Sequence, residues 1–298
     1  MLKNFPKNLK ILVTGADGQL AKALKKYIPK EINAYYLTKK DLDISNPELC
    51  FELVKKIKPN WIINCGAYTN VDKAESEEEL AFDINANAPK ALVSALKEFP
   101  GRLLQISTDY VFSGFEGSPY KTFAQKRPLN VYGKSKSLGE EHALMHDDSI
   151  VVRTSWLYGP IGHNFLLNMI KLHSSRNSFR VVSDQISCPT STHSLAKACC
   201  EIIINDLDEK IIHWSDCGAA SWFDFALAIG ELASEKGILK APARVDPIES
   251  SDFNSVAERP KNSLLNCFDS YELLKYKPRH WRAELSCILD SIQSGKSS

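Results

Sequence analysis

The segment Leu9-Lys10-Ile11-Leu12-Val13-Thr14-Gly15-Ala16-Asp17-Gly18-Gln19-Leu20-Ala21 constrains the fold more than any other. A short apolar run, two glycines three apart and an amphipathic stretch reaching about Ile28 read as strand, tight turn and helix. Gly15 permits the sharp turn, and Gly18 lets backbone N–H groups approach a pyrophosphate at the positive end of the helix. The spacing is Gly-x-x-Gly-x-x-Ala rather than Gly-x-Gly-x-x-Gly, and a glycine-rich turn alone is a weak signal. Its place directly after the first strand gives it weight.

Strand-like segments near Leu9–Thr14, Ala34–Leu37, Trp61–Cys65, Arg102–Ser107 and Ile150–Arg153 alternate with helical segments through Lys136–Leu144. That alternation predicts an α/β fold, a Rossmann-type doubly wound parallel sheet. After Thr154 the pattern is less regular, with helices expected near Asn164–Leu172, Thr192–Ile204 and Ser221–Leu232 and turns at Gly159-Pro160 and Asp246-Pro247. We expect a dinucleotide-binding core over residues 1–154. Residues 155–298 then form a smaller, interleaved C-terminal lobe that holds the substrate and returns late elements to the core.

Within that frame, Ser107-Thr108-Asp109-Tyr110-Val111-Phe112 follows the apolar run Leu103-Leu104-Gln105-Ile106, and Tyr132-Gly133-Lys134-Ser135-Lys136 follows later. Thr108 and Asp109 fall at the carboxyl end of a strand, the edge where open α/β sheets hold ligands. Tyr132 and Lys136 are four apart on an expected helix and share a face. A phenol titrates near pH ~10, and a neighbouring ammonium favours its ionised form, which makes Tyr132 a usable proton relay. A carbonyl that receives a hydride needs a proton on its oxygen, and a phenol held by a Thr hydroxyl delivers it.

Composition narrows the class without choosing a function. The formal net charge of +1, from 37 Lys and Arg against 36 Asp and Glu, gives no global field for nucleic acid or an anionic membrane. No apolar run approaches the ~20 residues needed to cross a bilayer, and the polar start Met1 to Lys10 lacks a signal-peptide hydrophobic region, so a cytoplasmic protein is implied. The eight cysteines are scattered with no Cys-x-x-Cys pair and read as free thiols. His142 and His146 have no clear third ligand, so no metal site is expected. The acidic run Glu75 to Glu79 reads as the solvated start of a helix.

These residues resemble an extended short-chain dehydrogenase/reductase of the nucleotide-sugar-modifying kind. Asn64 to Glu75, Ser107 to Phe112, Leu129 to Gly133, Arg153 to Tyr158, Asp184 to Thr190 and Ala257 to Leu264 resemble, in order, the signature segments of the dTDP-4-dehydrorhamnose reductase family. Thr-Asp-Tyr-Val-Phe is the most specific of them. The resemblance implies reduction of the C4 keto group of dTDP-4-dehydro-β-L-rhamnose to dTDP-β-L-rhamnose by NADPH or NADH, with Thr108, Tyr132 and Lys136 catalytic. It further implies that Gly15, Asp17, Gly18, Gln19, Leu20, Lys39, Asp43, Ile44, Ala67, Tyr68 and Thr69 line the cofactor, and that Thr108, Asp109, Trp156 and Arg259 meet the sugar nucleotide.

Alternatives stand beside several of these roles. Lys39 and Lys40 at the end of the second strand suit a 2′-phosphate and hence NADPH, yet they also fit an exposed turn. Trp156 could be a core residue, and Arg259 could hold an ion pair rather than a phosphate. Ala21 replaces a third glycine. Ala23 stands where some family members carry a glutamate that helps hold magnesium at a dimer interface, so a monomer, or a homodimer without that bridge, is expected. Another nucleotide-sugar reductase or epimerase is the nearest alternative enzyme, and a regulatory protein resembling the β subunit of methionine adenosyltransferase is the non-catalytic one.

Overall fold

The computed structural model describes residues 5, 6 and 8–296; of the polar start, residues 1–4 and 7 lie outside the described residues. Six strands form the main sheet: β1 (Lys10–Thr14), β2 (Asn33–Leu37), β3 (Trp61–Asn64), β4 (Arg102–Thr108), β5 (Ser149–Thr154) and β6 (Ile211–His213). They lie in the order β6-β5-β4-β3-β1-β2, every pair parallel. The doubly wound parallel sheet is therefore as expected. The strand order reverses between β1 and β3, which opens a crevice at their carboxyl ends.

Alternation along each strand explains why the sheet is covered on both faces. Ile11, Val13, Trp61, Ile63, Leu104, Ile150 and Val152 face one apolar cluster with α1 (Gln19–Tyr27) and the later helix Thr192–Ile204. Leu12, Ile62, Leu103 and Val151 face the opposite cluster, built with α2 (Pro47–Ile57) and α3 (Ala88–Leu96). A one-residue change of register would exchange the two sets. Ala23 is buried in the first cluster, so that position of α1 faces the core rather than solvent.

Of the catalytic candidates, Thr108 ends β4, and Tyr132 and Lys136 lie on α4 (Val131–Ala143), which packs against α3 and β4. Gly133 is required there, because a Cβ would collide with the Tyr110 carbonyl. After β5 the chain builds a second cluster from α5 (Phe165–Ser175), α7 (Trp222–Glu235) and α8 (Trp281–Lys296), with α6 (Thr192–Ile204) and β6 returning to the main sheet. The lobe is thus interleaved with the core. Among the described residues, no helix is long and apolar enough to cross a membrane.

Candidate functional site

A polar ladder joins the carboxyl ends of β1 and β3 to the middle of β4. Thr14 Oγ1 donates to Asn64 Oδ1 at 2.6 Å, Asn64 Nδ2 to Gln105 Oε1 at 2.7 Å, and Gln105 Nε2 to the Ile106 carbonyl at 2.9 Å. All three side chains are buried, and every polar atom named has a partner. This rigid floor underlies a cleft of about 810 Å³ whose lining includes Gly18, Ala67, Thr108, Tyr132, Lys136 and Trp156.

Thr108, Tyr132 and Lys136 come together as the sequence suggests. Asn130 caps α4 by accepting from Gly133 N, and its amide donates to the Glu258 carbonyl, so the helix start is fixed from two sides. Glu75 accepts from Val131 N at 2.8 Å. That carboxylate secures the start of α4 and is more than the solvated residue expected of the acidic run. Thr108 and Tyr132 line the same cleft, and the Thr108 hydroxyl favours the ionised phenol.

The electrostatics of Tyr132 differ from the sequence expectation. Its phenol is pushed up to about 12, chiefly by burial and further by the Asp109 carboxylate, against a lowering by Thr108. The Lys136 ammonium donates to the Ile106 carbonyl at 2.6 Å and makes no hydrogen bond to the phenol. Burial brings Lys136 down to about 8, opposed by Glu140 and Cys65. Desolvation of both groups outweighs the attraction that a helix-face reading emphasises.

Asp109 does not line the cleft. It is 1% exposed, and its carboxylate accepts from the Thr108, Ser187 and Ser263 hydroxyls, which ties the end of β4 to two later segments. Burial without a cationic partner lifts its carboxyl to about 6. Arg259 does line the cleft, but it makes a two-pronged pair with Asp72, Nη1 to Oδ1 at 3.0 Å and Nη2 to Oδ2 at 2.6 Å. Asp72 Oδ1 also accepts from Val256 N and Ala257 N. The ion-pair alternative for Arg259 is what this structure contains.

On the cofactor side, Gly15 has φ 64°, and a Cβ there would lie 2.8 Å from Gly66 N, so the turn and the end of β3 approach as closely as glycines allow. Helix α1 starts at Gly18 with no side-chain cap, whereas α2, α4, α5, α6 and α7 are each capped by an Asn or Ser side chain. Helix α3 also lacks a side-chain cap, but α1 opens directly on the glycine turn, where an uncapped start fits a pyrophosphate. Gly15, Asp17, Gly18, Lys39, Asp43, Ile44 and Ala67 line an adjoining hollow of about 230 Å³, and Asp17, Gln19, Leu20 and Thr69 line the main cleft. Asp41 is turned back on its own loop, accepting from Thr38 N and Oγ1. Tyr68 departs from the expected lining: its phenol donates to Glu77 Oε2 at 2.7 Å, and it is not a wall of either hollow. Gln19 also donates to the Leu157 carbonyl and accepts from Asn164, joining the glycine turn to the second lobe.

Trp156 is half-buried on the cleft wall, with φ 44°. Three features escaped the sequence: Trp222 stacked on Trp156, the Asp109 hydroxyl cage, and the buried Glu140–Arg153 pair. Their partners come from different elements, 13 residues apart for Glu140 and Arg153 and many more for Ser187 and Ser263 at Asp109, and only the Ser221-Trp222-Phe223-Asp224 helix start gave a local signal for any of them. His142 and His146 bond the Ala86 and Gly101 carbonyls.

Fold and site together define a Rossmann-type α/β protein carrying a Thr, Tyr and Lys constellation in a cleft between sheet and lobe. The family model described as RmlD substrate binding domain matches residues 9–294. A dTDP-4-dehydrorhamnose reductase of Aggregatibacter actinomycetemcomitans is 36% identical over 94% of this chain and 98% of its own. A dTDP-4-keto-6-deoxy-D-glucose reductase of Streptomyces niveus is 33% identical over 96% of this chain and 98% of its own. The crystal structure of dTDP-4-dehydrorhamnose reductase from Bacillus anthracis in complex with NADP superposes with a TM-score of 0.90, at 36% identity, covering 95% of this chain and 99% of that one. The chain belongs to the dTDP-4-dehydrorhamnose reductase family.

Proposed function

We propose that the protein reduces the C4 keto group of dTDP-4-dehydro-β-L-rhamnose to dTDP-β-L-rhamnose, with NADPH as the preferred cofactor and NADH as the lesser one. The observation that carries this reading is that Thr108, Tyr132 and Lys136 line one cleft together with the start of α1, which has no side-chain cap. Reduced nicotinamide, when bound, supplies the hydride. Thr108 orients the carbonyl oxygen, and Tyr132 gives that oxygen its proton. A phenol held near 12 is fully protonated at neutral pH, which suits a donor in the reducing direction. Lys136 grips the nicotinamide ribose and offers positive charge beside the phenolate left after transfer.

Residues 1–154 hold the cofactor in this reading, with Gly15, Asp17, Gly18, Gln19 and Leu20 at the pyrophosphate, Asp43 and Ile44 near the adenine, and Ala67 and Thr69 along its length. Lys39 favours the 2′-phosphate, and Asp41 is withdrawn into its turn. Residues 155–298 supply most of the sugar-nucleotide site. Trp156 forms its wall, and Arg259 takes up a phosphate by exchanging Asp72 for it. Asp109 acts behind Thr108.

The test is incubation with NADPH or NADH and a panel of 4-keto-6-deoxy nucleotide-sugars, with cofactor oxidation followed by absorbance and the product identified by NMR. dTDP-4-dehydro-β-L-rhamnose should be turned over fastest and give the rhamnose configuration. The name of the Streptomyces relative favours one second reading, a reductase of another dTDP-4-keto-6-deoxy sugar. No oxidation with any sugar would leave a non-catalytic role.

A further inference from the structure

The indoles of Trp156 and Trp222 lie face to face, with centroids 3.5 Å apart and planes 10° from parallel. Aromatic quadrupoles favour offset or edge-on contacts over such full overlap, so surrounding groups must hold the pair. Trp222 is held on two further sides. Its indole N–H donates to Gln185 Oε1 at 3.1 Å, and Gln185 Nε2 donates to Ser250 Oγ at 2.9 Å, which fixes the acceptor. Phe165 lies against Trp222 with centroids 4.6 Å apart and stacks in turn on the buried Phe225, which meets Tyr158 and Trp281 edge-on.

Trp156 packs against the same apolar cluster, but among the described residues its indole N–H has no partner comparable to Gln185. It sits two residues beyond β5, where the chain leaves the sheet for the lobe, and its left-handed φ of 44° is unusual for a bulky side chain. Its carbonyl accepts from Thr190 N at 3.2 Å. The backbone turn aims the ring at the cleft wall, and the flat face behind it belongs to Trp222.

We propose that Trp222 is a positioning residue that sets the orientation of Trp156 and thereby the affinity for the sugar nucleotide. The proposal rests on the reading of Trp156 as a wall of that site. Trp222 does not line the cleft, so its effect passes through Trp156. The proton and hydride steps depend on β4 and α4 and are left alone.

The experiment is a double-mutant cycle over wild type, Trp156→Ala, Trp222→Ala and the double variant, read as KM and kcat for the keto sugar and as the Kd for dTDP-rhamnose by calorimetry. Trp222→Ala should raise KM and Kd roughly 10-fold, with kcat and NADPH affinity within about twofold of wild type. Trp222→Phe, which keeps a flat face, should recover most of the loss. In the Trp156→Ala background, Trp222→Ala should add less than about twofold. If Trp222→Ala does not fold, Trp222→Leu replaces it, with the same rise expected. Additive losses, or a fall in kcat together with NADPH affinity, would overturn the proposal while leaving the catalytic reading intact. Wild-type protein that does not bind dTDP-rhamnose would defeat the reading of the site, and the proposal with it.

Discussion

Glu140 lies one helical turn beyond Lys136, and its carboxylate receives Arg153 Nε at 2.9 Å and Nη2 at 2.8 Å, both side chains at most 2% exposed. Ser107 Oγ donates to the same carboxylate at 2.6 Å, so α4 is tied to β4 and β5 together. Arg153 Nη1 also donates to His213 Nε2, which leaves Nδ1 of that ring to donate to the Tyr120 carbonyl. The guanidinium keeps His213 neutral, and burial does so more strongly, bringing it to about 3.

Removing one partner of this pair strands a buried charge. Glu140→Gln is expected to cost about 3–5 kcal/mol in urea unfolding, whereas replacing both residues by apolar ones of similar volume costs much less. An unchanged unfolding midpoint in Glu140→Gln would contradict the role given to the pair.

Asp109 gives a pH dependence of opposite sign to an ordinary salt-bridged carboxylate. Its folded value of about 6 stands above the ordinary value of 3.8, so the native state binds the proton more tightly, and stability is lost as pH rises between those values. Asp109→Asn removes that penalty. Relative to wild type, the variant should gain stability on going from pH 4 to pH 7, on the order of 2–3 kcal/mol, read from unfolding at each pH. A constant difference across that range would place the carboxyl at its ordinary value.

How much of this was legible in the sequence depended on the range of the interactions. The glycine turn, the alternating strands and the four-residue spacing of Tyr132 and Lys136 are local patterns, and the structure reproduces them. The direction of the Tyr132 shift, the inward turn of Asp109 and the identity of Asp72 as the partner in the Arg259 ion pair were not legible. Each depends on burial or on a partner from a distant segment, as with Ser187 and Ser263 at Asp109. That the Tyr68 phenol turns to Glu77 was not legible either, because segment resemblance does not give the direction of a side chain.

Lys136 and Tyr132 should shape activity differently. With Lys136 at about 8, kcat/KM is expected to fall as pH rises through that value and the ammonium is lost, while Tyr132, near 12, contributes no limb in that range. Lys136→Arg should abolish the limb, because a guanidinium stays charged. Tyr132→Phe should lower kcat roughly 10²–10⁴-fold with NADPH still bound. Near-normal turnover in that variant would remove Tyr132 from the mechanism.

Cofactor preference is expected to rest on Lys39. Lys39→Ala should reduce kcat/KM for NADPH roughly 10-fold and leave NADH turnover unchanged, since only the 2′-phosphate distinguishes the two. Equal losses with both cofactors would point to a general effect on the fold.

The most direct test of the central claim is transfer from NADPH stereospecifically deuterated at the hydride-donating position of C4, incubated in ordinary water with dTDP-4-dehydro-β-L-rhamnose. One deuterium should appear at C4 of the product sugar, found by NMR and mass spectrometry, and the proton that Tyr132 delivers should reside on the C4 oxygen and exchange with solvent. Product without deuterium at C4, or deuterium retained wholly in the cofactor, would contradict hydride transfer to that carbon.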